Sequence, residues 1–113
     1  MTQILYYSPG QVVTAILETF NSDGYRQDSS SLPIVSRVIF PAFTLASNYP
    51  QSMIKLDTGL YYYQFTLPTG AAAIGSYIID VLYADPVTSI LKEKAYQVIC
   101  NAPYGNFGIV TTI

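Results

Sequence analysis

The chain has 113 residues, half of them apolar and only 11% charged, against about a quarter charged in ordinary soluble domains. Its net charge is −2, with five scattered basic residues (Arg26, Arg37, Lys55, Lys92, Lys94), no His and no Trp. Dispersed cations make no patch for a phosphate backbone, so nucleic acid is not an expected partner. The lack of His removes the commonest general base and metal ligand, and with it any Ser–His or Cys–His nucleophile pair.

The length suits a single domain, residues 1–113, that buries a working core without metal or disulfides. Cys100 has no second cysteine to pair with, which fits production in a reducing compartment, and its apolar neighbours make it a packing residue. No positively charged segment precedes an apolar run at the N-terminus, so no secretory signal is expected. Thr58 to Ile79 carries no charge, but Gln64, Pro68 and its glycines make it a run of strands rather than a membrane helix.

Thr2 to Tyr7 reads as a short first strand or an arm (residues 1–8) reaching onto a neighbour, and Ser8-Pro9-Gly10 as a turn. Gln11 to Phe20 is a strand with two apolar faces. Val13, Ala15 and Leu17 lie on one, and Val12, Ile16 and Phe20 on the other, so the strand is central or its outer face is covered. The polar stretch from Tyr25 to Pro33 is an exposed loop. Ile34 to Phe40 is the next strand, stopped by Pro41, which has no N–H to give a ladder. Ala42 to Pro50 is a loop or short edge strand, and Ser52 to Leu56 a short strand.

Asp57-Thr58-Gly59 is a tight turn, because Asp and Gly tolerate the backbone angles of a reversal. A strand follows with Tyr61, Tyr63, Phe65 and Leu67 on one face and Leu60, Tyr62, Gln64 and Thr66 on the other; Pro68, Thr69 and Gly70 end it. Ala71 to Gly75 is a loop. Ser76 to Ala84 and Ile90 to Cys100 form a hairpin around Asp85-Pro86. Residues 95–113 carry no charge, and Ile109 to Ile113 has strand propensity, so this run is expected to be paired in a sheet or docked on a partner. About seven strands at roughly ten-residue spacing, with no sustained helical period, make an all-β fold.

The residues Asp57-Thr58-Gly59-Leu60-Tyr61-Tyr62-Tyr63 resemble the Asp-x-Gly/Ala-x-Tyr corner that leads into strand F of immunoglobulin-like sandwiches. The resemblance implies an immunoglobulin-like antiparallel β-sandwich with a structural corner of Asp57, Gly59 and Tyr61, where the Tyr61 hydroxyl bonds a backbone group upstream. It sets Tyr63 where antibody domains carry their second cysteine, so the inter-sheet disulfide is missing.

Seven carboxylates (Glu18, Asp23, Asp28, Asp57, Asp80, Asp85, Glu93) show no spacing that selects a catalytic pair, and there is no Asp-x-Asp-x-Asp calcium pattern. No enzyme activity, cofactor or metal is therefore expected. The eleven tyrosines are the excess. Tyr6, Tyr7, Tyr25, Tyr49 and Tyr104 fall in expected loops or termini, and with Phe107, Ile109 and Ile113 they are the candidate interface residues, each offering large apolar area.

A small, apolar, leaderless immunoglobulin-like chain resembles the decoration (cement) and accessory proteins of tailed-phage virions. That resemblance implies a virion location and binding to capsid or tail subunits of the same particle, as a homo-oligomer such as a trimer, with no membrane partner. Residues 2–7 and 101–113 would be the adhesive parts. The alternative is a carbohydrate- or cell-surface-binding module of a phage tail or adhesin that stacks loop tyrosines on sugars.

Overall fold

The structure, a computed structural model, describes residues 2–101. These residues form nine strands and no α-helix. In chain order the strands are β1 (Thr2–Tyr7), β2 (Val12–Glu18), β3 (Ile34–Phe40), β4 (Thr44–Leu45), β5 (Gln51–Ser52), β6 (Ile54–Asp57), β7 (Leu60–Thr66), β8 (Gly75–Ala84) and β9 (Leu91–Cys100). The expected all-β class is therefore observed, with more strands than the seven expected, because β4 forms in the stretch Ala42–Pro50 read as a loop or short edge strand and the strand expected from Ser52 to Leu56 is divided between β5 and β6.

The strands make two sheets. One has six strands in the order β1-β9-β8-β3-β4, with β5 also on β3; the other has three, β2-β7-β6. All pairings are antiparallel except β1 with β9, which run parallel from Thr2↔Ala95 to Tyr7↔Cys100. The parallel pair is invisible to periodicity, since alternation reports which face a residue takes and not the direction of its neighbour.

Period-2 alternation decides the core. From the six-stranded sheet come Val35, Val38, Tyr77, Ile79, Val81, Tyr96, Val98 and Cys100; from the small sheet come Val13, Ala15, Leu17 and Tyr61. The single cysteine thus packs in the core, and burial pushes its thiol pKa up. Tyr63 and Phe65 pack against this cluster from the face that the alternation assigns them.

Met53 marks where the chain changes sheets. Gln51–Ser52 pairs with β3 and Ile54–Asp57 with β7, and the buried Met53 between them donates its N–H to the Pro33 carbonyl at 2.9 Å. The segment expected as one strand is therefore split between the two sheets.

Asp57–Tyr61 is also placed differently from the expectation. It closes the β6–β7 hairpin within the three-stranded sheet, and it does not carry the chain from one sheet to the other. That passage runs from Leu67 to Gly75, through a 3-10 turn at Ala71–Ala73. There the fully buried Tyr77 donates its hydroxyl to the Ala73 carbonyl four residues upstream, at 2.7 Å.

Candidate docking surface

Asp57, Gly59 and Tyr61 hold a loop in place. Gly59 has φ +64° and donates its N–H to Asp28 at 2.8 Å. The Tyr61 hydroxyl accepts from the Ser29 N–H at 3.0 Å, and Asp57 accepts from the Thr58 N–H at 2.7 Å. The β6–β7 turn thus clamps residues 19–29. Tyr61 does reach an upstream backbone group, but one 32 residues away.

Two further turn carboxylates, Asp28 and Asp85, are likewise engaged. Asp28 pairs with the Lys55 ammonium at 2.6 Å, and that hydrogen bond together with the Gly59 N–H lowers its pKa. Asp85 accepts from the N–H groups of Val87 and Thr88 at 2.8 and 3.0 Å and pairs with Lys92 at 3.0 Å. Those contacts, Thr88 first, pull its pKa down to about 2. Among the described residues no three metal-ligating side chains cluster.

Asp85 yields a test in acid. A carboxyl whose folded pKa lies below its unfolded value contributes stability that is full above the unfolded pKa, near 4, and is lost as pH falls through the folded value. We expect Asp85→Asn to melt lower than the parent at pH 6, with the gap closing between pH 4 and pH 2 in thermal scans. A gap that stays constant with pH would mean the carboxylate contributes nothing through its charge.

The candidate interface tyrosines do not converge. Tyr6 (69% exposed) stands at the end of β1 beside the start of β2, and Tyr25 (73% exposed) lies in the Asn21–Tyr25 turn beyond the far end of β2. The seven residues of β2 separate them, about 23 Å of strand. Tyr7 pairs with the buried Cys100 and packs on the core. Tyr49 is also turned inward, its hydroxyl bonded to that of Tyr63 and its ring edge-on to the same side chain. Tyr104, Phe107, Ile109 and Ile113 lie outside the described residues.

The apolar exposed area lies elsewhere. On the outer face of the three-stranded sheet, Ile16, Tyr62 and Ile54 stand in one row, one residue from each strand. Val12 precedes this row on β2 and Leu56 follows it on β6; Val12, Ile16, Ile54 and Leu56 are each between 42% and 62% exposed. Thr14, Glu18, Gln64 and Thr66 share this face, so the apolar area is the row Ile16–Tyr62–Ile54 with Leu56 beside it, and Val12 beyond the Thr14–Gln64 pair. The two apolar faces of Gln11–Phe20 announce the surface in the sequence, but its partners on β6 and β7 emerge only once the strands pair.

A second exposed apolar group sits at the edge of the larger sheet. In the 3-10 turn Pro41–Phe43, both Ala42 (φ 65°) and Phe43 (φ 60°) take the left-handed backbone region, and Phe43 is 89% exposed. A non-glycine residue in that region costs about 1–2 kcal/mol, and the turn presents the Phe43 ring to solvent. The sequence shows no signal for it.

No protein-family model and no curated protein matches the chain. Among solved structures, it is similar to a DUF4785 family protein from Legionella pneumophila, with a TM-score of 0.56 and 14% identity. The match covers 87% of this chain but 26% of that one, so this chain spans about a quarter of that protein's length. At this identity the likeness concerns the fold alone.

Proposed function

We propose that this chain is a non-enzymatic structural protein with an immunoglobulin-like fold that works by docking, as a decoration or accessory protein of a virion. The observation that carries the docking role is the apolar row Ile16, Tyr62 and Ile54 on the outer face of the three-stranded sheet, with the exposed Leu56 and Val12 on the same face. A patch of that kind on a small protein marks a surface for another protein. The uncharged segment from residue 101 to 113 adds a second adhesive element.

The immunoglobulin-like reading is supported by strand order. β9-β8-β3-β4 against β2-β7-β6 follows the G-F-C-C′ and B-E-D arrangement of variable-type domains. In that frame β8 is strand F, and Tyr77, bonded to Ala73, takes the corner role that the sequence resemblance gives to Tyr61. Ile79, two residues after Tyr77, then stands where antibody domains carry their second cysteine, and Ala15 on β2 lies in the same buried cluster. Apolar packing fills the place of the disulfide.

In this role the protein adds to the outside of an assembled capsid or tail and bridges its subunits. The test is co-sedimentation with assembled particles, comparing the full chain, a chain lacking residues 102–113, and Ile54→Lys on the outer face. We expect both variants to fold with the parent melting curve and to lose most of the particle-bound fraction. Binding unchanged in both would remove the docking role from these surfaces.

A further inference from the structure

The side of β2 that faces away from β7 is an open sheet edge. Leu67 N–H donates to the Gln11 carbonyl and Thr19 N–H to the Gly59 carbonyl, both at 2.9 Å, and the register between them is unbroken. Odd-numbered residues of β2 therefore bond to β7, and Val12, Thr14, Ile16 and Glu18 direct their N–H and C=O groups outward. Among the described residues one of these groups has a partner, the Ile16 carbonyl, which accepts from the Tyr96 hydroxyl across the gap between the sheets. The edge has none of the usual guards. Val12 to Glu18 contains no Lys, no Pro and no bulge, and its single charge is at the end.

We propose that this edge accepts residues 107–113 of a second copy of the chain as an added strand. Phe107 to Ile113 matches β2 in length, is uncharged, and alternates Ile109, Thr111 and Ile113 against Val110 and Thr112. Seated on β2, such a strand continues the three-stranded sheet and widens its apolar outer face; backbone bonds supply affinity and the isoleucines supply register.

The position of the exit point selects a second copy over the chain's own β2. Asn101 donates its N–H to the Tyr7 carbonyl at 2.9 Å, so residues 102–113 leave from β9 beside the end of β1. There the Ser8–Gln11 link already runs from β1, the outer strand of its sheet, to β2. To reach the open side of its own β2 the segment would cross that link, and connections do not cross on one edge. The edge of a neighbouring copy has no such obstacle, and residues 102–106, which link the exit point to the added strand, reach about 17 Å.

The inference rests on the docking reading above only in taking residues 102–113 as adhesive. It is tested by complementation in sedimentation velocity. Thr14→Pro removes an outward N–H without touching the bonds to β7, and gives a chain with a donor segment but no acceptor edge. The chain lacking residues 102–113 has the acceptor and no donor. We expect the full chain to form a closed oligomer, each variant to run as a single chain, and their equimolar mixture to form a 1:1 pair. Ile16→Lys serves as a second acceptor variant should proline perturb folding, and is expected to weaken self-association at least tenfold. A full chain that stays single at ~100 µM, an oligomer that survives truncation, or a mixture that fails to pair would overturn the inference. Particle binding that persists in a single-chain protein would leave the docking role standing and sink this one alone.

Discussion

Gly59→Ala is expected to cost about 3 kcal/mol or more and to leave little folded protein at 37 °C. Two terms add. Alanine at φ +64° carries a left-handed penalty of about 1–2 kcal/mol. Its methyl would also lie 2.7 Å from Gln27 N, 2.8 Å from Thr19 O and 2.9 Å from Gln27 O, all backbone atoms that cannot rotate away, and such overpacking costs about 1–3 kcal/mol. Gly24→Ala is the control. Its φ is +87° and nothing lies within 4 Å of the added methyl, so only the conformational term applies. Urea unfolding of both variants separates the terms. Equal losses would mean the 19–29 loop does not press on the β6–β7 turn as described.

The second large effect distinguishes two tyrosines, Tyr61 and Tyr77, that each follow a glycine by two residues. Tyr77→Phe should cost about 2 kcal/mol, because it removes the donor to the carbonyl of buried Ala73, at the passage between the two sheets. Tyr61→Phe should cost about 1 kcal/mol, since the Ser29 N–H it releases is only part-buried and can find water. Both are measurable by chemical denaturation. A larger loss from Tyr61→Phe would put the structural lock at Asp57–Tyr61 instead.

Asp57-x-Gly59-x-Tyr61 and Ala73-x-Gly75-x-Tyr77 share the same spacing, and the aspartate makes the first look like the corner. Which one carries the chain between sheets depends on where strands β6 to β8 pair, and local residue types do not encode that. The same limit hides the change of sheets at Met53 and the parallel β1–β9 pair. What alternation can carry, it carries well. The inward faces of β2, β7 and β8 are the faces their residues assign, and the doubly apolar Gln11–Phe20 strand leads directly to an exposed apolar surface.

The tyrosines show where composition misleads. Loop position suggested exposure for Tyr49, yet tertiary packing turns it onto Tyr63 and the core. Burial first, and the contact with Tyr63 second, raise its hydroxyl pKa. Conversely, Phe43, held out by a left-handed turn, has no compositional signal at all. Tyr96 is a further case: a fully buried strand residue whose hydroxyl leaves its own sheet to hold the edge of the other.

Residue-resolved amide exchange along β2, with the full chain compared at dilute and high concentration, reads the open edge directly. We expect Val13, Ala15 and Leu17 to be protected in both, whereas Thr14, Ile16 and Glu18 exchange quickly when dilute and become protected as copies associate. Even-numbered amides that exchange fast at every concentration, or that are already protected at the lowest, would contradict an edge completed by a second copy.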